Sequence, residues 1–234
     1  MQRFSWLEEK GLPVAALSDR SDGDCGFKAD DGGANRKKLC TALDLDSASL
    51  VCIRQVHGTE VIPVQPEYAG RGAIHADTAL AEADGLITRT PGIPLGISVA
   101  DCVPLWLYDP TTHSGGVVHA GRNSTFENIA QSAVSALHTG YGVDPGDLFA
   151  VIGPSAGPES YEVSTEIAQS WADTGYPVYG RRLDLWATNQ QQLEAAGLSR
   201  DHILVTGHCT IRDGRFFSYR GGDATSRNLA LFCL

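Results

Sequence analysis

The chain has 234 residues, 42% of them hydrophobic and 20% charged, with a formal net charge of -10. That length supports one domain with a full core, expected over residues 1–234, and the composition excludes intrinsic disorder. The acidic balance excludes nucleic-acid partners, which need a Lys/Arg footprint, and no apolar run approaches the roughly 20 residues of a membrane span.

Residues 1–9 lack the apolar centre of a signal peptide, so a cytoplasmic location is expected. Six cysteines, at positions 25, 40, 52, 102, 209 and 233, form no CxxC pair and read as free thiols in a reducing compartment. Residues 18–35 are rich in Asp, Gly and Ser and predict a loop; their acids lack EF-hand spacing, so solvated turns are expected and not a calcium site. Apolar positions 39, 42 and 43 lie opposite basic ones and predict a short amphipathic helix over 35–43. On its own, Arg36 in that helix reads as a solvated surface cation. The apolar run 51–56 ends at His57-Gly58. Residues 65–82 are punctuated by Pro and Gly and predict a long loop near a cleft. His75 and Asp77 lie in that loop and rank behind the ligands that follow.

Two apolar strands carry the chemistry. Cys102 ends the first, from Ile97, and His119 ends the second, Gly116 to Val118, with a turn at Asp109-Pro110 between. Cys102, His119 and the upstream His57 make a thiolate with two imidazoles, a set that suits zinc with one open position. Spacing this wide is no metal motif by itself, and a lone Cys after a strand also reads as a small buried hydrophobe. Next, Ser124-Thr125-Phe126-Glu127 fits a capping box with Ser124 as N-cap, and apolar periodicity predicts one helix to about residue 139. Its N-terminus, just past His119, offers N–H groups to phosphate.

A buried strand over 148–152 delivers Gly153-Pro154-Ser155-Ala156-Gly157, a formal match to the nucleophile elbow of serine hydrolases, with Asp184 and His202 or His208 in the required order. Pro158 and a strand expected over 161–163 leave no place for the helix that must follow such a serine. A helix is expected over 184–193, then closing strands over 202–205, 216–218 and 229–232. Strands mixed with helices, without steady βαβ alternation or GxGxxG, predict an α+β fold or a layered α/β fold.

Several motifs occur in a fixed order: Arg54-Gln55-Val56-His57-Gly58, Ala83-Asp84-Gly85-Leu86-Ile87-Thr88, Ala100-Asp101-Cys102-Val103-Pro104 and Val118-His119-Ala120-Gly121. Asn35-Arg36, Gly153-Pro154, Tyr161-Glu162-Val163, Asp184-Leu185-Trp186 with Asn189-Gln190, and Phe216-Phe217-Ser218-Tyr219-Arg220 complete the series. From residue 35 onward the chain resembles the YfiH/laccase-domain family, once labelled polyphenol oxidases. The resemblance implies a layered α/β/β/α sandwich with mixed β-sheets in a single domain. It implies one metal, usually zinc, held by His57, Cys102 and His119. The implied activity is phosphorolysis of purine nucleosides such as adenosine and inosine, with some adenosine deamination. Arg36, Cys102 and His119 become the implied catalytic residues, and Arg36, Arg122, Ser124 and Arg220 the implied contacts to nucleoside and phosphate. Asp101 is expected beside the ligands and not among them.

The chain departs from the family where Arg122-Asn123-Ser124 replaces Trp-Arg-Gly, and at Ser160, Gly221 and Ser226. All three metal ligands survive these changes. Other readings stand beside the phosphorylase. Cys102 with His119 as its base would make a hydrolase or deamidase. A fully coordinated ion would make a metal-stabilised domain without catalysis. A copper polyphenol oxidase fits least, because the chain has seven histidines and no His-x-His, although copper competes with zinc on affinity alone. The H-x-E fingerprint of zinc deaminases is absent as well.

Overall fold

Two sheets lie face to face in the computed structural model, which describes residues 1–29 and 31–234; Asp30, inside the loop expected over 18–35, lies outside the described residues. One sheet orders Gln2–Arg3, Val14–Leu17, Asn228–Cys233, Leu95–Val99 and Val51–Cys52. The other orders Ile203–Val205, Phe149–Ile152, Val103–Asp109, Ser114–Ala120, Gly85–Thr88 and Val61–Pro63. Both are mixed. Val51–Cys52 pairs parallel with Leu95–Val99 and Ile203–Val205 parallel with Phe149–Ile152, whereas the central pairs are antiparallel.

The layering follows from side-chain alternation along each strand. In Val103–Asp109, Trp106 and Tyr108 point between the sheets, while Leu105 and Leu107 point outward to the helices Ile129–Tyr141, Thr165–Asp173 and Leu185–Ala195. In Val14–Leu17, Ala15 and Leu17 face the same interior, while Val14 and Ala16 meet Leu39, Cys40 and Leu43 of the helix Gly32–Ala42. Central strands are thus apolar on both faces and read as continuous apolar runs. Trp106 bridges the layers, its Nε1 donating to Leu231 O of the opposite sheet at 2.8 Å. The result is the α/β/β/α sandwich that the resemblance implied.

Three expectations need correction. The helix predicted from Ser124 to about residue 139 is two helices, Arg122–Phe126 and Ile129–Tyr141. Asn128, at φ 64, separates them and caps the second by accepting from Gln131 N, so the capping box at Ser124 is not formed. The apolar run 51–56 is strand only at Val51–Cys52, because Gln55 takes over from the backbone: its amide donates to Ser98 O and its Oε1 accepts from Ser98 N, both at 2.8 Å. No strand forms over 216–218, where the Asn228 side chain bonds both the N–H and the carbonyl of Phe217 in place of a neighbouring strand. Over 161–163 the ladder shrinks to a single bridge between Glu162 and Arg182.

Candidate metal centre

Cys102 and His119 converge because their strands are neighbours. Val103–Asp109, which Cys102 leads into, pairs with Ser114–Ala120 so that Pro104 lies opposite His119. His57 joins them from the segment beyond Val51–Cys52, with a backbone φ of 61, unusual for a residue other than glycine. One buried carboxylate explains that conformation. Asp84 accepts from the successive N–H groups of Val56, His57 and Gly58 at 3.2, 3.0 and 2.7 Å, wrapping the turn around itself. The same Asp84 accepts from His119 Nδ1 at 2.7 Å. His119 therefore keeps its proton on Nδ1 and leaves Nε2 for the pocket.

The ligand atoms of His57, Cys102 and His119 all lie within 4.8 Å of one another, and among the described residues no other group of three His, Cys, Asp or Glu side chains offers such a set. The two imidazoles meet edge to face with centroids 4.9 Å apart. Gly121 keeps the space beside them open: a Cβ there would stand 3.0 Å from His57 Cδ2 and 3.2 Å from Cys102 Sγ. Two nitrogens and one sulfur, with a carboxylate behind one imidazole, fit zinc with an open position.

Charge is organised around the thiol. Burial alone would raise the Cys102 pKa, but the charge and hydrogen bond of His119, with help from His57, hold it at about 6. Burial likewise disfavours the His119 cation, and the Cys102 thiolate followed by Asp84 overrides it to about 9. Asp84 is held below the usual carboxylate range; burial opposes this, while His119 and the Gly58 and Val56 N–H groups prevail. Cys102 and His119 thus each favour the charged form of the other.

Asp101 sets the turn before Cys102, with φ 77. Its Oδ1 accepts from the Thr210 and Ser218 hydroxyls at 2.7 and 2.6 Å, its Oδ2 from Arg220 N at 2.6 Å, and its carbonyl from Ala156 N at 2.9 Å. It adjoins Cys102 and ties the segments carrying Thr210, Ser218 with Arg220, and Ala156 to it. A cavity of about 580 Å³ opens over the cluster, in the range of small-molecule sites. Arg122, Arg220, Tyr161 and Tyr219 are on its wall.

Residues 23–234 match the family described as multi-copper polyphenol oxidoreductase laccase. The chain belongs to this family. A purine nucleoside phosphorylase named YlmD from Geobacillus stearothermophilus is 33% identical over 211 residues, covering 85% of this chain and 76% of that protein. The crystal structure of YlmD from Geobacillus stearothermophilus superposes with a TM-score of 0.86 at 31% identity, covering 94% of this chain and 91% of that one. A Bacillus licheniformis hypothetical protein, YfiH, superposes equally well, with a TM-score of 0.86 at 29% identity, covering 94% and 92%.

Within this laccase-like chain, not every residue singled out from sequence reaches the pocket. His57, Cys102, His119, Arg122 and Arg220 do. Arg36 does not. It is not a surface cation and is absent from the cavity wall: it is 1% exposed, donates to the carbonyls of Ala73, Cys25 and Ile74, and lies 4.7 Å from the Phe27 ring centroid. Ser124 is also buried, inside the short helix, and its hydroxyl finds no partner among the described residues. Ser155 of the G-x-S-x-G match is fully buried, donating to Gly153 O and accepting from Trp186 Nε1, so it is no exposed nucleophile. Sequence reasoning missed the role of Asp84, although the residue stands in one of the motifs that carry the resemblance. It also missed Tyr161 as a wall of the pocket.

Proposed function

We propose that this chain cleaves the glycosidic bond of purine nucleosides, adenosine and inosine among them, with inorganic phosphate, and deaminates adenosine more weakly. His57, Cys102 and His119 would hold one metal ion, zinc by the character of the donor set, with copper as a competitor in preparations. The observation that carries this reading is the cavity itself, in which a thiol and two imidazoles share one space with Arg122, Arg220 and aromatic walls. The phosphorylase name of the relative in Geobacillus stearothermophilus supports it.

When bound, the ion supplies Lewis acidity at the open position. Arg122 and Arg220 give phosphate a cationic seat; among the described residues the guanidinium of Arg122 hydrogen-bonds only Asn123, and that of Arg220 donates to Glu162 O. Tyr161 and Tyr219 offer ring faces to a base. Asp84 keeps the His119 Nδ1 proton in place, so His119 faces the cavity with one defined tautomer. The phosphate seat in this reading rests on these side chains, since the helix beginning at Arg122 is one short turn and Ser124 is buried in it, off the cavity wall.

Mass analysis of products after incubation with adenosine or inosine, with and without phosphate, tests the reaction. Ribose 1-phosphate and free base are expected only with phosphate. Equal base release without phosphate would replace phosphorolysis by hydrolysis, and no base at all would remove the chain from this chemistry.

A second reading has its own observation. The Cys102 sulfur lies within 4.8 Å of a ring nitrogen of both His119 and His57, the neighbourhood of a nucleophile with its base. Iodoacetamide separates the two: a metal-bound thiolate is protected until a chelator is added, whereas a free nucleophile is labelled at once in the protein as purified.

A further inference from the structure

The pocket reverses the charge of the molecule around it. The chain carries 28 acidic against 18 basic residues, yet Lys28, Arg54, Arg122, Arg220 and Arg227 line the cavity, and among the described residues Asp101 is its one acidic lining residue. Asp101 has both carboxylate oxygens committed to Thr210, Ser218 and Arg220. Arg54 is paired with Glu82 at 2.8 Å. The other four cations fall into two groups.

Arg122 and Arg220 stand beside Tyr161. The Arg220 guanidinium lies 4.8 Å from that ring's centroid, Arg220 N donates to Asp101 beside Cys102, and Arg122 follows Gly121, which packs against His57 and Cys102, so this pair stands at the reacting end. Arg227 and Lys28 come from elsewhere. Arg227 N donates to Asp24 Oδ1 at 2.9 Å, and a Cβ on Gly26 would meet Arg227 Cγ at 3.2 Å, so Arg227 lies against the turn that continues into Phe27 and Lys28. The Arg227 guanidinium donates only to the carbonyls of Ser226 and Ala224, and it has no carboxylate partner among the described residues. The Asp24 carboxylate faces the Gly26 and Arg227 N–H groups.

Phosphorolysis brings one anion, and Arg122 with Arg220 suffice for it. A nucleoside offers nothing negative to a second cationic pair in the same cavity. We propose that Arg227 and Lys28 receive the 5′-phosphate of a purine nucleoside monophosphate, so that nucleotides are better substrates than nucleosides; this rests on the phosphorolytic reading of the site. A phosphomonoester carries about -1.5 to -2 charges at neutral pH and bonds a guanidinium bidentately. In the reaction the bond from the base to C1′ breaks with its electron pair leaving on the base. An oxygen of hydrogen phosphate bonds to C1′, and the proton that phosphate loses goes to the base. The products are free base and ribose 1,5-bisphosphate.

The test compares kcat/KM for inosine 5′-monophosphate and inosine, using the metal-loaded full chain and product mass. At low salt the nucleotide is expected to be favoured at least about tenfold, with the preference shrinking as salt screens the charges. Arg227→Ala combined with Lys28→Ala should bring the ratio near one, and Arg227→Lys should restore part of it. A ratio near one in the unmodified protein, or a preference that survives the double substitution, overturns the proposal while leaving nucleoside phosphorolysis intact. If neither compound releases base, the phosphorolytic reading has failed, and calorimetric binding decides the subsite alone. Tighter binding of the nucleotide that the double substitution abolishes upholds it; equal binding of both compounds overturns it.

Discussion

Asp84 holds both imidazoles of the cluster, one through its ring nitrogen and the other through the backbone of its turn. Removing an acceptor behind a ligating imidazole typically costs about ten- to a hundredfold in metal affinity. Asp84→Ala is therefore expected to weaken metal binding at least that much, read by competition with a chromophoric chelator, and unchanged affinity would show that His119 orients itself. Cys102→Ala and His119→Ala should each lower the metal content found by elemental analysis; content equal to the unmodified protein would remove the ligand assignment. That His57, Cys102 and His119 come together was legible through the family resemblance and not through their spacing, which matches no metal motif. Asp84 was not legible in this role, because its partners lie 26 to 35 positions away and three of them are backbone N–H groups that any residue could supply.

Two cavity-lining segments are held by groups that do not touch the pocket themselves. Arg36 draws Cys25, Ala73 and Ile74 together, fastening the turn before Phe27 to the loop after Gly72. Arg36→Ala leaves three carbonyls without their donor, at about 1 to 3 kcal/mol for each one that water cannot reach. It should lower the melting temperature and raise KM while metal content stays unchanged; lost metal would mean that the segment carrying His57 moves too. Asp223 plays the same part for the turn that carries Tyr219 and Arg220, accepting from Ser218 N and pairing with Arg20. Slight burial opposes its ionisation, but the Ser218 N–H and Arg20 hold its pKa below the ordinary carboxylate value. A lowered carboxyl pKa contributes stability above that ordinary value, and the contribution is lost as pH falls through the folded value. Hydrogen exchange at Ser218 should therefore accelerate on acidification before the rest of the chain opens, and Asp223→Asn should remove that dependence. The strands were readable from their unbroken apolar runs, whereas the helix break at Asn128 was not. Apolar period continues across it, and only the left-handed backbone at Asn128 interrupts the turn.

The two sheets share one interior, and Trp106 is the largest fully buried side chain within it. Trp106→Ala is expected to cost about 3 to 5 kcal/mol by leaving a cavity and to free the Leu231 carbonyl; a loss under about 1 kcal/mol on chemical denaturation would mean that the layers close over the gap. The layered class could be read from strands mixed with helices, but the strand order could not, because pairing between residues hundreds of positions apart leaves no local trace. That order has a consequence for synthesis. Asn228–Cys233 is an inner strand, lying between Val14–Leu17 and Leu95–Val99. A growing chain that has already released His57, Cys102 and His119 from the ribosome still has a slot through the middle of its first sheet, with the interior around Ile97 and Ala15 open to water. Closure waits for Cys233 to emerge. Chains stalled before Asn228 should remain protease-sensitive, and chains stalled on an added C-terminal linker long enough to carry Cys233 clear of the ribosome should become resistant in a single step.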